Sequence, residues 1–164
     1  MILLGSTGSI GVNTLNIARK FNLNVEVLVA GRNIQLLNQQ IKEFNPKIVV
    51  IDRVEDIHLV CHNNVLFGQE AILQAIEQST SNTVVNALVG FLGLKPTLKA
   101  IECGKKIALA NKESLVVAGK FIDQTNLNPI DSEHFGLWYL LQDKKIDSMM
   151  VTASGGSFRD YPLD

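Results

Sequence analysis

Ile2-Leu3-Leu4-Gly5-Ser6-Thr7-Gly8-Ser9-Ile10-Gly11 lies at the start of the chain and decides its fold. The apolar run before Gly5 is too short to be anything but a buried strand, and glycines then follow at a three-residue step. Glycine is needed in such a turn because a Cβ would block the turn itself or the approach of a phosphate. A strand that turns this tightly into a helix presents backbone N–H groups to a pyrophosphate. The stretch therefore predicts a dinucleotide site, and a tight turn without a ligand is the alternative.

Length and composition indicate one globular domain of ordinary size. The chain has 164 residues, of which 46% are hydrophobic and 19% charged. The net charge of -1 gives no reason to expect nucleic acid or an anionic membrane as a partner. The start of the chain lacks the basic segment of a signal peptide. Cys61 and Cys103 are too few and too far apart for a disulfide framework, which predicts reduced thiols and a cytoplasmic location.

Short β-rich segments alternate with segments of helical periodicity, a pattern typical of a doubly wound parallel sheet with helices on its faces. After the first strand, further strands are predicted at 25–30, 48–51, 65–67, 83–87 and 106–110. Helices are predicted at 10–21, 54–60, 70–78 and 114–124, with two more after Asn33 and around Pro96.

The character of the sequence changes near residue 129. A turn is expected at 126–128, followed by a helix at 134–142, a strand at 146–152 and a glycine-containing loop. We therefore predict an α/β, Rossmann-like dinucleotide-binding domain over residues 1–128. Residues 129–164 would begin a second, α+β domain. Because a compact protein seldom ends on a loop after an unpaired strand, we expect the chain to be the N-terminal part of a longer protein.

The end of the second predicted strand, Ala30-Gly31-Arg32-Asn33, bears on the choice of cofactor. NAD sites usually carry an acidic residue here, which accepts hydrogen bonds from the ribose 2′-hydroxyl. This sequence has no carboxylate in the run, and Arg32 can bind a 2′-phosphate through two parallel hydrogen bonds. The run therefore favours NADP over NAD, with a solvated surface arginine as the alternative.

Ala110-Asn111-Lys112-Glu113-Ser114 follows a predicted strand and opens a helix, at the sheet edge where ligands bind in such folds. Lys112 would supply a cation near bound phosphate or nicotinamide. The alternative is a polar loop in which Asn111 or Ser114 caps the helix.

Asp131-Ser132-Glu133-His134 contains two carboxylates separated by one residue. In an extended or looped segment they can converge on one hard cation, and their oxygen atoms suit Mg²⁺ or Mn²⁺ rather than zinc. The alternative is a helix start, with Asp131 or Ser132 as the cap and Glu133 favourably placed near the helix dipole.

Together these runs resemble one family, 1-deoxy-D-xylulose 5-phosphate reductoisomerase. The matching runs follow the family's order over essentially the whole chain and are Gly5–Gly11, Ala30–Asn33, Leu109–Leu115, Pro129–His134 and Ser154–Gly156. The resemblance implies an enzyme that rearranges 1-deoxy-D-xylulose 5-phosphate, a small phosphorylated sugar. It would reduce the resulting aldehyde with NADPH to 2-C-methyl-D-erythritol 4-phosphate, a step of non-mevalonate isoprenoid biosynthesis. It also implies a Mg²⁺ or Mn²⁺ ion and, for the full-length protein, a homodimer.

By this likeness each run supplies site residues. The cofactor pyrophosphate is bound by Thr7, Gly8, Ser9 and Ile10, and the adenosine 2′-phosphate by Gly31, Arg32 and Asn33. Asn111 and Glu113 match further cofactor contacts, and Lys112 matches a catalytic residue that contacts both cofactor and substrate. Asp131 and Glu133 match metal ligands, Glu133 also being catalytic and a substrate contact, while Ser132 and Ser154 match further substrate contacts.

The likeness also implies that parts of the active site lie elsewhere. Family members are longer and supply a third metal carboxylate and a histidine from segments that this chain does not contain. We therefore expect the chain to bind NADPH without turning substrate over. Two other functions remain open, an NADP-dependent dehydrogenase that needs no metal and a non-catalytic nucleotide-sensing module. Side chains of Lys112, Asp131 and Glu133 that point away from the cofactor pocket would favour the sensing module.

Overall fold

The computed structural model describes residues 1–123, 125–141 and 147–150. Over these residues the strands are β1 (Ile2–Leu4), β2 (Val27–Val29), β3 (Ile48–Ile51), β4 (Val65–Phe67), β5 (Thr83–Asn86), β6 (Lys106–Leu109) and β7 (Leu127–Pro129). The helices are α1 (Ser9–Lys20), α2 (Ile34–Phe44), α3 (Gln69–Gln78), α4 (Leu94–Glu102), α5 (Glu113–Ala118) and α6 (Ser132–Leu141). Short 3₁₀ turns cover Val54–Leu59, Gly90–Gly93 and Gly119–Phe121.

The strands form one sheet in the order β4-β3-β2-β1-β5-β6-β7, and every strand pair is parallel. The chain therefore winds outward from β1 to β4 on one side and from β5 to β7 on the other. The strand order reverses between β1 and β5, and the crevice at the carboxyl ends of such a pair is where ligands bind in doubly wound folds. The predicted Rossmann-like parallel sheet is confirmed.

Both faces of the sheet are covered, because successive side chains of a strand point to opposite sides. Ile2 and Leu4 of β1 belong to a buried cluster that contains Ala75 of α3 and Ala100 of α4. Leu3 belongs to the opposite cluster, which contains residues of α1 and α2. Strands buried on both faces explain the continuous apolar runs in the sequence.

Two elements differ from the sequence prediction in kind or by more than two residues at one end, and the helix predicted at 54–60 is a 3₁₀ helix over Val54–Leu59. The helix predicted at 114–124 ends at Ala118, since Gly119 begins a 3₁₀ turn that leads the chain to the buried side chain of Ile122. The turn predicted at 126–128 is wrong, because Leu127–Pro129 forms β7 and pairs with β6. Pro129 is tolerated there because β7 is an edge strand, which can lack an N–H donor.

Only part of the strand predicted at 146–152 falls on residues that the structure describes. No strand is present over residues 147–150, and the rest of the strand predicted at 146–152 lies outside the described residues. Cys61 and Cys103 are both free thiols. Within the described ranges, no helix combines the length and the apolar character needed to cross a membrane.

Candidate functional site

The glycine turn after β1 packs closely against the ends of β2 and β5. The backbone N–H groups of Gly5 and Ser6 donate to the carbonyl of Val29 at 2.9 and 2.8 Å. Gly5 has φ +84°, and a Cβ built on it would lie 2.7 Å from the carbonyl oxygen of Ala87. A Cβ on Gly11 would lie 2.6 Å from the carbonyl oxygen of Ser6. These positions therefore require glycine, as the sequence predicts.

The first turn of α1 offers unpaired N–H groups to an anion. Gly8, the capping residue that precedes α1, makes no side-chain capping hydrogen bond among the described residues. The first turn of the helix contains no acidic side chain. The opening N–H groups of a helix lack intrahelical acceptors and carry partial positive charge. Ser9 and Ile10 open α1, whereas Thr7 and Gly8 lie in the turn before it, where the N–H of Gly8 donates to the carbonyl oxygen of Gly5 at 3.2 Å. The N–H groups of Ser9 and Ile10 can therefore bind an anion such as a pyrophosphate, and the contacts assigned to Thr7 and Gly8 stay predictions.

Gln40 is a residue that the sequence analysis missed. It lies on α2, is 5% exposed, and its Nε2 donates to the carbonyl oxygen of Ser6 at 2.9 Å. The glycine turn is thus held from a second helix. A signal was present, since Gln40 interrupts the apolar face that Leu37 and Ile41 form on α2.

A cleft of about 370 Å³ lies beside the glycine turn, at the carboxyl ends of β2, β3 and β5. Its lining includes Gly31 and Arg32 after β2 and Leu88 and Phe91 after β5. Asn33 follows Arg32 in the chain. Its side chain caps α2 by accepting a hydrogen bond from the N–H of Leu36 at 3.1 Å. The cleft has the size and the mostly apolar lining expected for a small-molecule site.

Arg32 has a carboxylate neighbour that the sequence does not reveal. Asp52 follows β3, and its Oδ2 lies 3.9 Å from Nε of Arg32. The run after β2, Ala30–Asn33, itself contains no carboxylate. The neighbouring strand supplies an acidic group to the same place.

Asn111 is buried, and its side chain binds the protein itself. Its Nδ2 donates to the carbonyl oxygens of Leu88 and Gly90 at 2.8 and 2.7 Å, and its Oδ1 accepts from the hydroxyl of Ser114. The Asn111 amide thereby joins the loop after β5 to the start of α5. Its assigned contact with the cofactor stays a prediction, as does that of Glu113, whose carboxylate lies 3.3 Å from the Asn111 amide.

Lys112 and the two candidate metal carboxylates converge at the ends of β6 and β7. Nζ of Lys112 lies 3.8 Å from Oε2 of Glu133, and Lys112 and Asp131 line one cleft of about 390 Å³. Oδ2 of Asp131 accepts from the backbone N–H of His134 at 3.3 Å and lies 2.6 Å from its Nδ1. Asp131 therefore caps α6, as the alternative prediction of a helix start states. It also lines the cleft that contains Lys112.

The electrostatics keep both carboxyl groups ionised. Burial acts to raise the pKa of Asp131, but hydrogen bonds from His134 and the charge of Lys112 outweigh it and lower that pKa. The pKa of Glu133 is lowered by its own backbone N–H, by the Ser132 hydroxyl and by Lys112. Ser132 Oγ lies 3.1 Å from Oε2 of Glu133.

A hard divalent cation fits this donor set, because ionised carboxylate oxygens are the ligands that Mg²⁺ and Mn²⁺ prefer. Among the described residues, no group of three potential ligand side chains is assembled, so Asp131 and Glu133 would fill only part of a metal's coordination shell. Ser154 lies outside the described residues, and its assignment stays a prediction.

The fold and the site together define a doubly wound α/β protein with a glycine turn at a helix N-terminus and a cation-and-carboxylate cluster, both at the carboxyl edge of one sheet. Residues 1–119 match the family model described as 1-deoxy-D-xylulose 5-phosphate reductoisomerase. Residues 127–164 match the model of the C-terminal domain of the same enzyme. The chain belongs to the 1-deoxy-D-xylulose 5-phosphate reductoisomerase family.

Curated relatives extend over the whole of this chain. The 1-deoxy-D-xylulose 5-phosphate reductoisomerase of Nautilia profundicola is 58% identical, with 100% of this chain and 47% of the relative covered. That of Wolinella succinogenes is 56% identical, with the same coverage. The chain therefore spans about half the length of the curated relatives that it matches.

Solved structures agree with the fold. A DOX-P reductoisomerase in complex with magnesium superposes with a TM-score of 0.75 at 34% identity, covering 81% of this chain and 37% of that one. The Zymomonas mobilis enzyme in complex with NADPH gives a TM-score of 0.74 at 35% identity, covering 81% and 39%.

Proposed function

We propose that the protein to which this chain belongs is an NADPH-dependent and divalent-metal-dependent reductoisomerase. It would convert 1-deoxy-D-xylulose 5-phosphate into 2-C-methyl-D-erythritol 4-phosphate. In this proposal residues 1–128 form the NADP-binding domain and residues 129–164 begin the catalytic domain. Since the chain covers about half of its relatives, we propose that it binds cofactor and metal without supplying the complete active site.

The observation that carries the proposal is the position of Lys112 beside the two candidate metal carboxylates. Its ammonium group lies 3.8 Å from Glu133, and it lines the same cleft as Asp131. Lys112 also lies at the carboxyl edge of the sheet that carries the glycine turn. A dehydrogenase without metal, or a sensing module, has no need for two carboxylates beside this cation.

The residues of this chain have distinct roles in the proposed reaction. When bound, NADPH would supply a hydride and Mg²⁺ or Mn²⁺ would supply Lewis-acid polarisation of the substrate oxygens. Asp131 and Glu133 would hold the metal, and Lys112 would stabilise negative charge that develops on a substrate oxygen. The N–H groups of Ser9 and Ile10 would bind the cofactor pyrophosphate, and Arg32 its 2′-phosphate.

The substrate, assembly and location belong to the same proposal. A phosphorylated sugar would contact Ser132 and Ser154 in addition to Lys112 and Glu133. One related structure is a complex of DOX-P reductoisomerase with NADPH, fosmidomycin and magnesium. That complex supports the proposal that cofactor and metal bind to the same protein together. We further propose a homodimeric full-length protein in the cytoplasm, where the free thiols of Cys61 and Cys103 would stay reduced.

Binding to the 164-residue chain tests the proposal. Trp138 is the only tryptophan of the sequence and lines the cleft that contains Lys112, so energy transfer from Trp138 should report bound NADPH. Mn²⁺ binding is measured by calorimetry on the wild type and on Asp131→Asn, with Asp123→Asn as an exposed control carboxylate outside the site. We expect Asp131→Asn alone to abolish Mn²⁺ binding. Failure of the wild type to bind NADPH, or equal Mn²⁺ binding by all three proteins, would contradict the proposal.

A further inference from the structure

The parallel pairing of β2 with β3 brings Asp52 next to Arg32 in the cleft of about 370 Å³. Val29 is paired with Val50, and the N–H of Ala30 donates to the carbonyl of Val50 at 2.9 Å. The chain leaves β2 and β3 at the same edge of the sheet, so Asp52 lies beside the turn that carries Arg32. Both side chains line the cleft of about 370 Å³.

The contact between Arg32 and Asp52 is too long and too exposed to hold the guanidinium in place. Nε and Oδ2 are 3.9 Å apart, and the side chains are 72% and 55% exposed. Exposed pairs of this kind contribute little to the order of either partner. The main effect of Asp52 on a bound ligand is therefore its negative charge and its capacity to accept hydrogen bonds.

We propose that Asp52 is a specificity-determining residue that reduces the preference of this site for NADPH over NADH. The inference rests on the proposed NADPH site. A 2′-phosphate bound by Arg32 must share the guanidinium with a carboxylate that repels it, whereas an unphosphorylated ribose offers a 2′-hydroxyl that a carboxylate can bind. NAD sites usually carry their carboxylate at the end of the second strand. Here the third strand supplies it, next to an arginine that suits NADP.

The cleft contains its own control for this effect. Lys95 also lines it, and Nζ of Lys95 lies 3.4 Å from Oε1 of Glu70. Neutralising Glu70 changes the net charge around the cleft by the same amount as neutralising Asp52. It leaves the partner of Arg32 unchanged, so Glu70→Gln separates a general charge effect from a specific one.

The experiment measures the dissociation constants of NADPH and NADH for the wild-type chain, Asp52→Asn and Glu70→Gln. We expect Asp52→Asn to bind NADPH about three- to tenfold more tightly, as two like charges several ångströms apart in a solvated site imply. Its NADH affinity should stay the same or fall. The gain in NADPH affinity should shrink at high salt, because exposed charges are screened. Glu70→Gln should leave the ratio of the two constants close to that of the wild type.

The other outcomes of these binding measurements would overturn the inference. Weaker NADPH binding by Asp52→Asn would show that the carboxylate orients Arg32, and would overturn the inference. An equal gain in Glu70→Gln would overturn it as well, because net charge would then be the cause. An unchanged ratio in Asp52→Asn overturns this inference alone, while absence of NADPH binding by the wild type overturns the proposed function with it. Since Asp52 is exposed, a thermal melt that matches the wild type verifies that the variant is folded.

Discussion

Gly11 is the residue at which backbone packing most directly limits the sequence. A Cβ there would contact the carbonyl oxygens of Gly5 and Ser6, the latter at 2.6 Å, and neither is a flexible side-chain end. The first turn of α1 would have to move away from the glycine turn to relieve the contact. We predict that Gly11→Ala lowers the free energy of unfolding by about 2–3 kcal/mol, the usual cost of overpacking. It should also weaken NADPH binding, and urea denaturation with a parallel NADPH titration measures both effects.

Gly31→Ala is the matched control for this variant. A Cβ on Gly31 meets nothing within 4 Å, and its φ is not in the left-handed region. We expect its free energy of unfolding to be equal to that of the wild type or higher by about 0.5 kcal/mol, since alanine restricts the unfolded chain. If both variants lost the same stability, the close packing at Gly11 would not be the cause.

The residues that local sequence could predict are those whose role depends on their own turn. Gly5, Gly11 and the helix cap at Asn33 follow from a few neighbouring positions. Asp52 could not be predicted, because its role depends on which strand pairs with β2 and in which register. The buried clamp of Asn111 likewise depends on the loop after β5, more than 20 residues away in the sequence.

The elements at the amino edge of the sheet are joined by one buried carboxylate. Glu26 precedes β2, is 4% exposed, and accepts hydrogen bonds from the hydroxyls of Ser79 and Ser81 at 2.9 and 2.6 Å. Nζ of Lys47, which precedes β3, lies 3.1 Å from it. Burial acts to raise the pKa of Glu26, but the hydrogen bonds outweigh it, and the net pKa lies well below the ordinary value. The carboxylate thereby links β2, β3 and the loop before β5.

Glu26 should make stability dependent on pH in the acid range. Its pKa is lower in the folded than in the unfolded chain, so its contribution is complete above the ordinary pKa of 4.5 and is lost as the pH falls below that value. We predict that Glu26→Gln destabilises the chain by about 2–3 kcal/mol at neutral pH, the usual cost of losing charged hydrogen bonds at a buried group. The difference from wild type should be constant above about pH 5.5 and should shrink as the pH is lowered from there to about 3.

Urea denaturation at several pH values tests this prediction, with Glu77→Gln as the control. Glu77 is an exposed carboxylate on α3 that pairs with Lys99 at 3.5 Å, and exposed pairs contribute little. A constant difference between Glu26→Gln and wild type across the pH range would disprove the role assigned to the charge.

The elements predicted with the correct boundaries are those with a strong pattern of their own. β3 and β4 are apolar runs between turn residues, and both occupy the predicted residues. β7 was missed because Leu127–Pro129 has no strand pattern and becomes a strand only by pairing with β6. The helix predicted beyond Ala118 failed for a related reason, since burial of Ile122 decides where the chain turns.

At the scale of the whole molecule, the glycine turn and the two carboxylates proposed to hold the metal share the carboxyl edge of one sheet but differ in their surroundings. The glycine turn is held by Gln40 and by the strand ends, all of them buried. Asp131 and Glu133 lie at the start of α6, none of whose residues is buried. The glycine turn is therefore supported by buried residues, whereas the two carboxylates have a large apolar surface exposed beside them.

That surface should cause the 164-residue chain to self-associate. Three aromatic residues of α6, Phe135, Trp138 and Tyr139, are 46%, 41% and 66% exposed. The ring centroid of Phe135 lies about 6 Å from that of each of the other two. We predict concentration-dependent association in sedimentation velocity, with Tyr139→Lys weakening it at least about tenfold, because a charge would have to be buried with the rings. Phe21→Lys is the matched control, since Phe21 is 61% exposed at the end of α1, away from this surface. A chain that stays monomeric at all concentrations, or an equal effect of both variants, would rule out α6 as the associating surface.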